Sequence, residues 1–176
     1  LDLSYEGNLS ISEADYLSVI SRKTAALVAA ACGLGAIVGG ADAATSTALF
    51  DFGQNLGLAF QIQDDVLGIW GDPAVTGKPA AADLYRHKVS LPVIHALRSA
   101  EERERLAQLY RQESTDEQDV AQMLSILDQA GARGYTLGVA AFYHQQALAA
   151  LASARGAAQA LDELRQMAEG LVGRTS

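Results

Sequence analysis

The sequence contains a single cysteine, Cys32, among its 176 residues. One cysteine cannot build a disulfide framework, so the chain is not one of the small secreted domains that depend on such bridges. This usage is typical of a reducing compartment, and we expect a cytoplasmic protein. A lone cysteine in a domain of this size is more often a small buried apolar residue than a reactive group.

Basic residues are also scarce, since 13 Lys and Arg stand against 21 Asp and Glu, for a net charge of −8. Nucleic-acid affinity comes mostly from neutralising phosphates with Lys and Arg, so we do not expect a nucleic-acid partner. The lysines are limited to Lys23, Lys78 and Lys88, whereas the solvated run over residues 101–105 uses arginine. Because the two residue types are not interchangeable where a compact charge is needed, the lysines are candidate anion contacts. Codon bias and chance are the alternative explanation.

No long hydrophobic run predicts a membrane span. The most apolar stretch, residues 25–40, is mainly Ala and Gly with some Leu, Val and Ile, which is too short and too weakly apolar for a span. We interpret it as a core helix. No segment alternates with period two for long enough to be a strand, so the chain is predicted to be all-α. His87, His95 and His144 lack the spacing of metal ligands.

Helix ends are marked by capping residues and by glycine. Ser12-Glu13-Ala14-Asp15 resembles a capping box and predicts a long helix that ends near Gly39. Asp42 predicts the start of a second helix, which runs to Trp70, where Gly71-Asp72-Pro73 stops it and begins a loop. Later helices are predicted over residues 90–98, 101–112, 114–131 and 132–154, and over a last segment that ends near residue 172.

The helix predicted to end at Trp70 carries its polar residues on one face. At about 100° per residue, Gly57, Gln61, Asp64, Asp65 and Gly68 form one stripe, and large apolar residues cover the rest of the helix. Two adjacent carboxylates would repel each other if they were dry and unpaired, so the stripe is expected to meet water, cations or a metal. The two glycines are expected to leave room for something to come close.

A short loop with two lysines, Lys78 and Lys88, follows this helix. Mg²⁺ commonly takes one or two carboxylates plus substrate phosphates, and lysine binds phosphate as a point charge. The pair Asp64–Asp65 followed by this loop therefore predicts a site for divalent metal and phosphate. Lys23, on the preceding helix, is either a lysine that lies along apolar neighbours or a further contact for an anion.

Taken together, these motifs resemble those of the trans-prenyl diphosphate synthases, which are class I isoprenoid synthases. The matching segments are Lys23-Thr24-Ala25, Phe60-Gln61-x-x-Asp64-Asp65, Gly71-Asp72, Gly77-Lys78, Asp83-Leu84 and Lys88-x-Ser90-Leu91-Pro92. Each motif alone is weakly specific, but their order and spacing make the joint match strong. The resemblance implies a helical bundle of the isoprenoid synthase fold.

The resemblance also implies a reaction and its residues. Asp64 and Asp65 are implied to hold Mg²⁺ against the diphosphate of an allylic substrate. Pyrophosphate leaves the allylic substrate, isopentenyl diphosphate attacks the allylic cation that forms, and loss of a proton gives a longer isoprenoid diphosphate. The residues implied to contact the diphosphate are Lys23, Lys78 and Lys88, with Thr24 and Gln61 near it and Phe60 beside the prenyl groups.

Two features depart from the family pattern. The second aspartate-rich motif usually reads Asp-Asp-x-x-Asp, and Gly68 stands here in its last position. Nothing corresponds to the first aspartate-rich motif or to the isopentenyl diphosphate site, so residues 1–176 are interpreted as the C-terminal half of a single isoprenoid synthase domain. We expect this chain alone to be inactive. The complete protein is expected to be a homodimer, or to assemble with an N-terminal half-chain.

Two alternatives stay open. A class I terpene cyclase of the same fold would ionise a similar substrate but quench the cation internally. A non-catalytic partner subunit would keep the fold and modify a catalytic chain. Gly68 favours the partner subunit, whereas the retention of all three lysines and both aspartates argues against it.

Overall fold

The computed structural model describes residues 8–77, 79–99 and 101–172, and every regular element within these ranges is helical, as predicted. Lys78 lies outside the described residues. A π-helical turn, Ser21–Ala25, joins the first helix to the second. The α-helices are α1 Glu13–Ile20, α2 Ala26–Val38, α3 Ala43–Trp70, α4 Pro73–Thr76, α5 Ala82–Tyr85, α6 Leu91–Ser99, α7 Arg103–Leu109, α8 Glu117–Gln129, α9 Ala132–Ser153 and α10 Ala158–Val172.

Side-chain caps set the starts of several helices where the sequence predicts them. The Asp15 backbone N–H donates to Ser12 Oγ at 3.0 Å, and the Ser12 N–H donates to Asp15 Oδ2 at 3.0 Å. Asp42 accepts from a backbone N–H in the first turn of α3 at 2.8 Å. Asp116 and Asp119 form a capping box before α8. Each cap satisfies N–H groups that have no partner within the helix.

The predicted loop after α3 contains two short helices. Asp72 caps α4 by accepting from the Ala74 N–H at 2.8 Å, and Gly77 ends this helix at a φ of 66°. The stop at Gly71-Asp72-Pro73 is therefore confirmed. Helix α5 follows Ala81, which has a φ of 54°. Single helical turns such as these are too short to show a hydrophobic period in the sequence.

The described chain divides into two compact units. The first comprises residues 8–19 and 64–138, and its core lies among α5, α6, α7 and α8. Fully buried apolar side chains fill this core, which is the expected basis of its stability. Prominent among them are Leu84, Val93, Leu106, Leu109, Met123 and Leu127.

The second unit comprises residues 20–63 and 139–172, and therefore takes most of α3 and α9 together with α2 and α10. Its core is smaller and brings α3 together with α9 and α10. The buried members are Phe52, Leu56, Ala147, Leu151 and Ala168. Alanines at two of these positions, Ala147 and Ala168, let the helix axes come close, as small residues do at helix contacts.

The apolar stretch over residues 25–40 is a core helix on one face only, which corrects the prediction. Ala25 and Ala29 are 0% exposed, whereas Leu27, Leu34 and Val38 are 75%, 61% and 87% exposed. The helical run Glu13–Val38 that contains this stretch is long and apolar enough to cross a membrane by length and composition, with a mean hydropathy of 1.4. Core helices of soluble proteins meet the same criterion.

Candidate functional site

The π-helical turn lies against part of the polar stripe of α3. Thr24 Oγ1 donates to Gln61 Oε1 at 2.8 Å, so two predicted substrate contacts bind each other. A Cβ at Gly57 would lie 2.6 Å from the Cα of Ala25, which is closer than side-chain carbons come to other atoms. The space that Gly57 leaves is therefore filled by the backbone of the chain itself.

Two other predicted residues lie close to this contact in the chain. Lys23, in the same π-helical turn, is exposed, and Phe60, next to Gln61 on α3, is half-buried. Exposure leaves the Lys23 ammonium accessible to an anion from solvent. Their roles toward diphosphate and prenyl groups stay predictions.

Asp65 is the centre of a buried polar cluster in the first unit. Its side chain is 1% exposed. Tyr16 Oη donates to Asp65 Oδ2 at 2.6 Å, and Lys88 Nζ donates to Asp65 Oδ1 at 2.9 Å. Both carboxylate oxygens therefore have a donor, which a buried charge requires. The ammonium of Lys88 also donates to Asp83 Oδ2 at 2.8 Å.

The electrostatics of this cluster fix its charge state. Burial opposes the charge on Lys88, but the carboxylates of Asp65 and Asp83 outweigh it and raise the pKa of Lys88 above its usual value. Burial also raises the pKa of Tyr16, and the charge of Asp65 adds to the shift, so the phenol keeps its proton and donates. The Lys88 side chain is 41% exposed. A cation fixed by two carboxylates thus keeps part of its surface open to solvent.

Gly68 lies beside the same cluster. A Cβ at position 68 would lie 2.3 Å from Asp83 Oδ2 and 2.6 Å from Asp83 Cγ. The room that Gly68 leaves is taken by a carboxylate from α5, which corrects the idea that this glycine makes space for a ligand. The last position of the aspartate-rich motif therefore has a carboxylate against it, supplied by Asp83.

Sequence reasoning missed Tyr16 as a member of the site, and it quoted Asp83 only as part of the Asp83-Leu84 motif, without a role. Asp83 is buried, with 6% of its surface exposed, and Tyr16 is 5% exposed. The usable signal was the family motif Asp83-Leu84 just before Lys88, and its burial explains the pairing, because an isolated buried carboxylate is costly unless it is paired. Tyr16 gave no such signal, since a tyrosine on an apolar helix stripe is ordinarily a core residue.

The two aspartates of the motif differ in what they offer to a metal ion. Asp65 has both oxygens engaged, by Tyr16 and Lys88. Asp64 is only half-buried. Within the described ranges, no group of three or more His, Cys, Asp or Glu is placed to hold a metal ion. This donor set does not fit an all-protein cage, but it fits the usual Mg²⁺ arrangement, in which one or two carboxylates are completed by phosphate and water.

Comparison with known proteins decides the family. The polyprenyl synthetase family matches residues 1–127 of the chain. The chain belongs to the polyprenyl synthetase family. All of the site residues predicted from the sequence lie within the matched region, as do Tyr16 and Asp83.

Individual polyprenyl synthetases are similar over part of their length. A geranylgeranyl diphosphate synthase of Mycobacterium tuberculosis is 52% identical over 111 residues, which is 62% of this chain and 32% of that protein. The crystal structure of a polyprenyl synthetase from Streptomyces coelicolor A3(2) has a TM-score of 0.91 at 36% identity, and the match covers 97% of this chain and 53% of that one.

A third polyprenyl synthetase was solved with ligands. This geranylgeranyl pyrophosphate synthase from Corynebacterium glutamicum, in complex with isoprenyl diphosphate and magnesium, has a TM-score of 0.89 at 30% identity. The match covers 99% of this chain and 50% of that one. The chain thus has the all-α isoprenoid synthase fold and spans about half the length of the polyprenyl synthetases of known structure.

Proposed function

We propose that the complete protein is a prenyltransferase that condenses an allylic diphosphate with isopentenyl diphosphate to give a longer isoprenoid diphosphate. The observation that carries the proposal is the Lys88 ammonium, held by Asp65 and Asp83, in a chain of the polyprenyl synthetase family. A relative that binds isoprenyl diphosphate and magnesium supports the same class of ligand. In this proposal the present chain supplies the C-terminal half of the catalytic domain.

Lys88 stabilises the departing pyrophosphate in this mechanism. Negative charge grows on the diphosphate as its bond to the allylic carbon breaks, and a cation already fixed in place stabilises that charge without reorganising. Asp65 and Asp83 hold the ammonium and keep it protonated. Lys23 and Lys78 are further proposed diphosphate contacts, on the family resemblance alone. Thr24 and Gln61 hold each other beside Lys23 in the chain.

Asp64 is the residue that would hold Mg²⁺. When bound, the ion supplies Lewis-acid neutralisation of the diphosphate charge. Asp65 also fixes Lys88, since one of its oxygens accepts from that ammonium and the other from Tyr16. Its predicted role as a second metal ligand stays a prediction. Phe60 contacts the prenyl groups and helps to exclude water from the allylic cation, since its ring offers an apolar surface.

A non-catalytic partner subunit is the less favoured function. The feature that pointed to it was the missing carboxylate at Gly68, and the Asp83 carboxylate lies against that position. Gly68 therefore has a structural role, and its presence does not by itself indicate a lost activity. A terpene cyclase would use the same lysines, and only its products distinguish it from a synthase.

The experiment is to incubate the complete protein with isopentenyl diphosphate, an allylic diphosphate and Mg²⁺, and to identify the products by mass spectrometry. An elongated diphosphate that requires all three components is expected. A hydrocarbon formed from the allylic diphosphate alone would indicate a cyclase, and no turnover by folded protein would indicate a partner subunit.

Lys88→Ala should lower kcat/KM by about 10²–10³-fold. The matched control Arg111→Ala removes an exposed cation elsewhere and should have no effect.

We also propose that the protein is a cytoplasmic homodimer. Leu27, Ala31, Leu34 and Val38 lie on one face of α2 by helical period, and all four are exposed. A contiguous apolar face of this kind is unusual on a monomer and is typical of a surface that another chain covers. A second copy of the chain is the proposed occupant, and the N-terminal half of the domain is the alternative occupant.

A further inference from the structure

The π-helical turn Ser21–Ala25 coincides with the Lys23–Thr24 motif. The Ala26 N–H donates to the Ser21 carbonyl, which closes a turn of five residues where an α-helix would close one of four. The extra residue offsets everything that follows it by about 100° relative to an unbroken α-helix. The direction of the side chains in this turn thus depends on the π-helical hydrogen bonding being kept.

Three neighbouring positions of α3 hold this turn in place. Gln54 Nε2 donates to Ser21 Oγ at 2.7 Å, at the start of the turn. Gln61 accepts from Thr24 at 2.8 Å, near its end. Positions 54, 57 and 61 follow the spacing i, i+3 and i+7, so they share one face of α3.

Gly57, the middle position, sets how closely the turn approaches. A Cβ there would lie 2.6 Å from the Cα of Ala25, the last residue of the turn. Gly53, one turn earlier, is under a similar constraint, because its Cβ would lie 2.7 Å from the Val28 carbonyl oxygen. Any side chain at position 57 would push the turn away from α3 and lengthen the hydrogen bonds on either side of it.

We infer that Gln54 and Gly57 are positioning residues, which hold the π-helical turn in the register that presents Lys23 to the diphosphate. The inference rests on the proposed function, in which Lys23 binds that group. Gln54 lies outside the Phe60-Gln61-x-x-Asp64-Asp65 motif and acts only through Ser21. Its effect should therefore be on diphosphate affinity, with little effect on stability.

The first test removes either partner of the Gln54–Ser21 hydrogen bond in the complete protein. Gln54→Leu and Ser21→Ala should each weaken binding of inorganic pyrophosphate with Mg²⁺ by about fivefold, the effect of losing one net hydrogen bond. The KM for the allylic diphosphate should rise more than kcat falls. Ser21→Thr keeps the hydroxyl and should bind as the wild type does. The double variant Gln54→Leu/Ser21→Ala should be no weaker than the weaker single variant, because both remove the same contact.

The second test moves the turn. Gly57→Ala should weaken pyrophosphate binding by about tenfold or more, since it displaces backbone rather than one side chain. Gly134→Ala is the matched control, because a Cβ at this helical glycine meets nothing within 4 Å. Calorimetry gives the affinity, and thermal melting of each variant gives the folded fraction. If Gly57→Ala does not fold, the Gln54 and Ser21 variants still decide the matter.

The outcomes are distinguishable. Variants that melt at lower temperature but bind pyrophosphate with wild-type affinity while folded would overturn the inference, and would make the contacts purely structural. Wild-type protein that binds no pyrophosphate and forms no elongated product would instead overturn the proposed function.

Discussion

Gly68 and Asp83 are complementary in shape: the Asp83 carboxylate lies where a side chain at position 68 would begin. A Cβ at Gly68 would be 2.3 Å from Asp83 Oδ2. The same Asp83 oxygen accepts from Lys88 Nζ at 2.8 Å. Absence of a side chain on α3 therefore allows a carboxylate from α5 to reach the lysine, and the substitution in the motif has a structural reason.

The first prediction is that Gly68→Ala destabilises the protein by about 1–3 kcal/mol, as overpacking a filled site does. Gly68→Asp should also destabilise it, with or without Mg²⁺. Urea denaturation measures both. Asp83→Ala in the same chain should remove most of the cost of Gly68→Ala, because it empties the space that the methyl group needs. The control Gly134→Ala should instead be stabilising by about 0.5–1 kcal/mol, the usual gain from replacing an unconstrained helical glycine.

The second prediction concerns Lys88 as a counter-ion. Lys88→Met should destabilise the protein by about 1–3 kcal/mol, since it leaves Asp65 buried without its cation. The loss is expected to be smaller than for a fully buried ion pair, because the Lys88 side chain is 41% exposed. Adding Asp65→Asn should recover part of the loss, because the uncompensated charge is then absent. Chemical denaturation checks this. Equal stability of Lys88→Met and the wild type would mean that the pair adds nothing to folding.

The third prediction tests the buried phenol. Tyr16→Phe removes the donor to Asp65 Oδ2 and should cost about 1.5–3 kcal/mol, as for a hydrogen bond to a charged group. Tyr135→Phe is the matched control: its hydroxyl donates to Glu13 Oε2 at 2.7 Å, but the contact is exposed. That variant should lose no more than about 0.5 kcal/mol. Thermal melts of both variants would contradict the prediction if the two losses were equal.

The fourth prediction follows from the cap of α3. The Thr45 backbone N–H and side chain hydrogen-bond to Asp42 and lower its pKa in the folded state. A lowered folded pKa means that the cap stabilises the protein above the unfolded pKa and that this contribution is lost as pH falls through the folded value. The difference in free energy of unfolding between the wild type and Asp42→Ala should therefore become smaller below about pH 4. Asp42→Asn keeps a capping oxygen that does not titrate, so the difference in free energy of unfolding between Asp42→Asn and Asp42→Ala should not change with pH.

The fifth prediction addresses the proposed dimer. Leu34→Glu places a charge on the exposed apolar face of α2, and should shift the complete protein from dimer to monomer in sedimentation experiments, since burying an unpaired charge at an interface is costly. Gln145→Glu, which adds the same charge on an exposed position of α9, is the control and should leave the dimer intact. A wild-type protein that sediments as a monomer would contradict the proposal directly.

Local signals in the sequence were sufficient for the longer α-helices, but not for α4, α5 or the π-helical turn. The capping residues Ser12, Asp42 and Asp116 satisfy the N–H groups of the next few residues, so their effect is encoded within one turn of chain. The bounds of α3 follow from the Asp42 cap and the stop at residues 71–73, and the polar stripe on it follows from the helical period. The family motifs added the fold, because their joint order is rarely met by chance.

Only the tertiary structure shows which groups lie against the glycines of that stripe. Helical period places Gly57 and Gly68 on a face, but it does not say whether a ligand, a backbone or a carboxylate approaches them. The partners are Ala25 and Asp83, which come from other elements. Tyr16 and Asp65 are likewise 49 residues apart and meet only through packing. The sequence by itself therefore determined the longer helices and which residues carry charge. The pairing of those charges depended on long-range contacts, because a buried carboxylate takes whichever donor the fold brings within hydrogen-bond distance.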